Sequence, residues 1–187
     1  MKEYYDLLKS WCDKVLEYQI KEIKDKNFYG GILCPACAVI HGRIGDSVYP
    51  LTAMYDYTGD EKYLEGARLA VEWAENNVRR KNGGYFNDKA HSWMGISVFS
   101  AISFGEALLY HGDCLDKETR EEWTKIFVRL SDFVCEFFAP GKNITNINYH
   151  ASTAAALSFA YILTGNERYK NTAYALAEYV DGFFIRP

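Results

Sequence analysis

Most of the residues able to do chemistry fall in three stretches. The first, GGILCPACAVIHGRIGD at 30–46, places Cys34, Cys37, His41, Arg43 and Asp46 within thirteen positions. The second, NGGYFNDKAHSW at 82–93, carries Tyr85, Asn87, Asp88, His91 and Trp93. The third, GKNITNINYH at 141–150, carries Asn143, Asn146, Asn148, Tyr149 and His150. Three of the four histidines lie here, and the fourth, His111, ends a helical stretch. Carboxylates, imidazoles and phenols move protons, while a guanidinium and amides hold polar or anionic groups. The three stretches together have the makings of one polar pocket.

Cys34-Pro-Ala-Cys37 admits three readings. Zinc needs two further ligands, and the chain has no second Cys-x-x-Cys and no His-x-x-x-His; His41 supplies a third ligand at most. A thioredoxin-type redox role requires a strand before the motif and a helix at its first cysteine. The surviving reading is a pocket wall that packs the base of the loop and holds His41 and Arg43 in place. No metal is expected, and with neither a GxGxxG nor a P-loop pattern no organic cofactor is expected.

The elements that must position these residues are helices. Tyr4, Leu8, Trp11, Cys12, Val15, Gln19 and Ile20 follow the helical period, Gln19 being the one polar member, and predict an amphipathic helix over about 2–25. Beyond it, segments apolar on every side (47–57, 94–111, 149–163) alternate with segments apolar along one stripe (60–80, 117–138, 167–184). A helix apolar all round must be enclosed by others.

The alternation contains a repeat. Thr58-Gly-Asp-Glu61-Lys-Tyr63 and Thr164-Gly-Asn-Glu167-Arg-Tyr169 lie 106 residues apart, each between a buried and a striped segment. Thr-x-x-Glu reads as a capping box and the glycine as a left-handed helix end, so both stretches predict a tight turn. The resulting fold class is all-α, a hairpin toroid with inner helices around an axis and outer helices covering them. A tetratricopeptide solenoid repeats every ~34 residues, whereas one pair here takes about 53, half of 106. The excess lies in the loops 26–44, 81–93 and 139–148, which this arrangement gathers at one rim.

Composition narrows the classes of partner. A net charge of −4 on 187 residues, with basic groups scattered along helices, argues against nucleic acid. No apolar run approaches the ~20 residues of a membrane span. Aromatic residues make up 16% of the chain, and aromatics both fill helical cores and stack on sugar rings. The start MKEYYDLLKS lacks the pattern of a signal peptide, and five cysteines without scaffold spacing fit reduced thiols; the expected compartment is the cytoplasm, or a secreted or periplasmic one if a leader has been removed.

The series GGILCPACAVIHGRIGDSVYPL, TGDEKYLEGA, Trp93-x-Gly95-Ile96-x-Val98, Ala107-Leu108-x-Tyr110-His111-Gly112 and NINYHASTAAAL resembles bacterial proteins of the (α/α)6 six-hairpin glycosidase and heparinase II/III-like superfamily. Within it, the chain is most similar to a β-glucuronidase-like group. The resemblance covers nearly the whole chain and implies a carbohydrate-active protein. Seven helices fall short of six hairpins, so residues 1–187 read as one all-helical domain, the N-terminal part of a toroid cut after Phe184-Ile-Arg-Pro187. An inner surface left open would then meet a C-terminal half or a second copy.

The resemblance implies glycoside hydrolysis first. Paired carboxyl groups ~5–9.5 Å apart perform it, and Asp88 and Asp46 are the candidates, with Arg43 forked onto a uronate carboxylate. Asp46 alternatively caps the helix starting near Ser47. The second implied chemistry is heparinase-type β-elimination, for which Asn148, Tyr149 and His150 supply the residue types consecutively. Neighbours on a helix point about 100° apart, so the three cannot all aim at one atom. A third reading is binding of a glycan or protein without catalysis. His41, Tyr85, His91, Trp93, Asn146 and Asn148 complete the expected binding set.

Overall fold

The structure, a computed structural model, describes residues 2–144 and 146–184. Among these are seven α-helices: α1 (Lys2–Glu17), α2 (Val48–Thr58), α3 (Glu61–Asn77), α4 (Ser97–His111), α5 (Lys117–Phe137), α6 (Ile147–Thr164) and α7 (Glu167–Asp181). Two 3-10 segments, Gly42–Ser47 and Gly112–Cys114, complete the helical content, and β pairing among the described residues is limited to isolated bridges. None of the described helices is long and apolar enough to cross a membrane.

The apolar-all-round segments become the inner helices α2, α4 and α6, which neighbour one another in that order. Each is followed by a striped helix packed against it: α3 on α2, α5 on α4 and α7 on α6. Leu51, Met54, Val98, Phe104, Trp123, Phe127, Leu157 and Leu176 are fully buried between the two layers. Phe104 of α4 meets Trp123 of α5 edge-on at 5.8 Å between centroids. The result is an arc of an α/α toroid made of three hairpins with α1 ahead of them.

The repeated turn has the predicted place but a different cap. Gly59 and Gly165 take left-handed φ values of 68° and 70°. The N-caps are Asp60 and Asn166, whose side chains accept from the backbone N–H of Lys62 and Arg168. Thr58 and Thr164 instead close the preceding helices, donating to Met54 O and Ala160 O and accepting from Asp60 N and Asn166 N. An Asx cap two residues on displaces the Thr-x-x-Glu box. The tyrosine that ends each repeat is fully buried, and its hydroxyl donates to an aspartate of the previous outer helix: Tyr63 to Asp13 on α1, Tyr169 to Asp132 on α5. By this contact α1 stands to α3 as α5 stands to α7.

The first helix is shorter than its periodicity predicts. It stops at Glu17, and Gln19 pairs with Ile32 in a bridge. The polar member of the stripe is the reason: Gln19 is buried and its amide donates to Gly30 O and Gly66 O. Two tertiary carbonyls thus capture a chain that local propensity would have kept helical.

Candidate active site

The first and second loops are held against each other by backbone. Gly42 N–H donates to Asn87 O, and a Cβ at Gly42 would lie 2.0 Å from Phe86 O, so only glycine permits the approach. This contact places His41 beside Asp88, with Nδ1 3.0 Å from Oδ2. Asp88 also accepts from the N–H groups of His91 (2.7 Å) and Ala90 (2.9 Å), from the Asn87 amide (2.7 Å) and from the His91 ring (3.2 Å). Burial pushes its carboxyl up, but the His91 N–H, the His41 ring and the Ala90 N–H outweigh it and hold Asp88 below the usual carboxylate range.

Asp88 was expected as acid or base; it is 7% exposed and its oxygens are committed to organising two loops. An ionised carboxylate with this many donors is a poor proton donor at neutral pH. Tyr85 is likewise corrected from substrate contact to core. It is fully buried, its hydroxyl donates to Glu75, and burial pushes the phenol up so that it stays neutral. His91 remains exposed at the loop edge.

The Gly42–Ser47 turn carries the second cluster. Arg43 Nε and Nη2 both lie 2.7 Å from Asp46 Oδ2, and the Arg43 guanidinium sits 4.6 Å over the Phe99 ring. Asp46 forms no helix cap, since its carboxylate turns back to Arg43 and approaches the Ser100 hydroxyl at 3.5 Å. Burial pushes Asp46 up to about 6 despite the nearby guanidinium. Ser103 donates to Asp46 O and accepts from Tyr49 N–H, fixing the turn against α4.

The third loop and the start of α6 add an aromatic wall. Tyr149 is tilted against Phe99 (5.6 Å), stacked on Phe138 (5.3 Å, 9° between planes) and touched edge-on by Trp93 (5.6 Å). Trp93 is half-buried, with its ring also against Phe137 and Phe138, so it braces Tyr149. Asn146 caps α6 by accepting from Asn148 N–H, and the Asn148 side chain is exposed.

His150 does not join Tyr149. It is fully buried against Phe138 and Tyr179, and its Nε2 donates to Lys142 O at 2.9 Å, tethering the third loop. With neighbours 100° apart, both rings touch Phe138, but only Tyr149 also reaches Phe99 while His150 turns toward Tyr179. Of the expected residues, Arg43 and Tyr149 meet at the Phe99 ring, with Asp46 paired to Arg43 and Trp93 against Tyr149. His41, Asp88 and His91 form an adjoining cluster, while Tyr85 and His150 belong to the packing.

Phe99 was missed, because one aromatic in an apolar segment carries no polar signal. The serines that hold Asp46 were missed too, although the sequence carries a signal for them: Ser97, Ser100 and Ser103 recur every three residues in a largely apolar helix. Ser97 accepts from Tyr85 N–H, and the other two serve Asp46, so this stripe joins α4 to both loops.

The fold has a counterpart among known proteins. Residues 8–187 match the family described as the ulvan lyase N-terminal domain, and the chain belongs to that family. A broad-specificity ulvan lyase from Formosa agariphila is 40% identical over 184 residues, which cover 97% of this chain and 28% of that protein. A solved polysaccharide lyase structure shares the fold with a TM-score of 0.51 at 12% identity, over 96% of this chain and 35% of the other. The chain therefore spans about a third or less of the relatives it matches. The expected membership of a polysaccharide-degrading group holds at that level, whereas the lean toward a β-glucuronidase-like hydrolase is not supported: the family is one of lyases, and Asp88 is committed to loop structure.

Proposed function

We propose that this chain is the N-terminal helical part of a polysaccharide lyase that cleaves uronate-containing glycans such as ulvan by β-elimination. The observation that carries the reading is the placement of Arg43 and Tyr149 against the same Phe99 ring, in a chain of the ulvan lyase family. Elimination removes the proton at C5 of the uronate, forms the C4–C5 double bond and breaks the bond from C4 to the leaving oxygen, which takes up a proton. The step is difficult because the C5 anion is conjugated to a carboxylate that is already negative.

Arg43 supplies positive charge for that carboxylate, and its pairing with Asp46 keeps the guanidinium oriented until substrate arrives. Asn148 at the mouth of α6 offers an amide to the same group. Tyr149, held by Phe138 and Trp93, presents a phenol as the proton-transfer group beside the sugar ring, for which Phe99 is the apolar floor.

The test is incubation of the protein at its native length with ulvan and with other uronate-containing polysaccharides, following reducing ends and the ultraviolet absorbance of an unsaturated uronate together. Elimination raises both in step. Reducing ends without absorbance would return the reading to hydrolysis.

A further inference from the structure

We propose that Cys34, Cys37 and His41 bind a zinc ion whose fourth coordination position faces solvent. With three ligands at most the sequence alone gave little reason to expect a metal. In the structure, the Sγ atoms of Cys34 and Cys37 and a ring nitrogen of His41 all lie within 4.8 Å of one another. A tetrahedral zinc with Zn–S of ~2.3 Å and Zn–N of ~2.0 Å separates its ligand atoms by about 3.5–3.8 Å. Small side-chain movements therefore close the site.

The backbone folds both cysteines into one turn. Leu33 and Ile40 form an antiparallel bridge, Cys34 N–H donates to Val39 O and Ala38 N–H donates to Cys34 O, making a tight hairpin around Cys34-Pro-Ala-Cys37. Ala38 holds a left-handed φ of 55°, a conformation that a residue with a Cβ adopts reluctantly.

His41 is set up as the third ligand. Its Nδ1 faces Asp88 at 3.0 Å, and its Nε2 faces Cys37 Sγ at 3.0 Å. A neutral imidazole beside a carboxylate carries its proton on the nitrogen facing that carboxylate, leaving the other lone pair for the cysteines. This is the carboxylate–histidine–metal relay that orients histidine ligands. Two thiolates and a neutral imidazole match the preference of zinc over magnesium or calcium. Cys37 is exposed, and among the described residues no further His, Cys, Asp or Glu joins the three, so water completes the tetrahedron. The ion would clamp the 33–40 hairpin to the second loop through His41, two residues before Arg43, and its partner Asp88.

The experiment uses the protein at its native length, reduced, stripped with a chelator and reloaded with Zn2+ or with Co2+ as a spectroscopic probe. Zinc loading should give about one ion per chain by elemental analysis. Cobalt should give a sulfur-to-metal charge-transfer band and tetrahedral visible bands that zinc displaces. Cys34→Ser and Cys37→Ser should each weaken the charge-transfer band to about half or less, since one thiolate remains, and Asp88→Asn should keep its shape while weakening affinity about 10–100-fold. The absence of a charge-transfer band in the reduced wild-type protein would overturn the proposal, as would a band unchanged in folded Cys34→Ser. If the serine variants fail to fold, His41→Gln, which keeps both sulfurs, should shift the cobalt bands; unshifted bands would exclude the site as drawn.

Discussion

His41 Nδ1 and Asp88 Oδ2 meet at 3.0 Å across 47 positions of sequence, and through them the first rim loop is fastened to the second. The contact depends on the backbone next to it, where Gly42 passes against Phe86 and Asn87 with no room for a side chain. Arg43 follows directly, so the position of the guanidinium over Phe99 is inherited from this junction.

Gly42→Ala should therefore separate the two loops. A Cβ 2.0 Å from Phe86 O cannot be accommodated without backbone movement, and the expected loss is about 1–3 kcal/mol of stability. Chemical denaturation measures it, and hydrogen exchange at the amides of 86–91 should accelerate. An unchanged midpoint with unchanged protection would show that the junction does not hold the loops.

For the reaction, Tyr149→Phe removes the proposed proton-transfer group and leaves the stacked ring in place. Activity on a uronate polysaccharide should fall about 10²–10⁴-fold with little change in thermal stability. Asp88→Asn, assayed well below its melting temperature, should reduce activity far less, because Asp88 organises loops and transfers no proton. The opposite ranking would restore Asp88 as a catalytic acid.

Asp46 gives a pH signature. Its folded-state pKa of about 6 lies above the ordinary value of 3.8, so its contribution to stability is greatest below about 4 and is lost as pH rises through 6. Asp46→Asn does not titrate. The stability of Asp46→Asn relative to wild type should rise between pH 4 and pH 6 and level off above. Denaturant midpoints of the two proteins at pH 4.5 and pH 7 decide it, and a constant difference would mean that Asp46 ionises normally.

Tyr63→Phe and Tyr169→Phe test the repeat. Each removes one hydroxyl that donates from a buried ring to an aspartate of the preceding outer helix. Each should cost about 0.5–1.5 kcal/mol, by thermal or denaturant unfolding. Similar losses at both positions would indicate equivalent roles for α1 and α5, whereas a loss at Tyr169 alone would remove α1 from the series.

What the sequence determined by itself was the helical arc and the rim on which the polar residues gather. The reason is local: a period of 3.6 fixes which face of a segment is apolar, and a segment apolar on all faces can be satisfied only inside others. The two TG(D/N)E(K/R)Y turns, the α2–α3 and α6–α7 hairpins and the long loops between pairs could all be read in this way. Tertiary structure alone decided where α1 stops, because Gln19 answers to carbonyls of Gly30 and Gly66. It also decided which polar residues gather around Phe99. Tyr149 and His150 are adjacent in sequence, yet one borders Phe99 and the other binds Lys142 O in the interior. Asp88, Tyr85 and Cys37 take their roles from partners at His41, Glu75 and His41 again, on other segments or across a tight turn. A loop side chain has no periodicity to constrain its direction, so the donors and acceptors that reach it through the fold determine where it points.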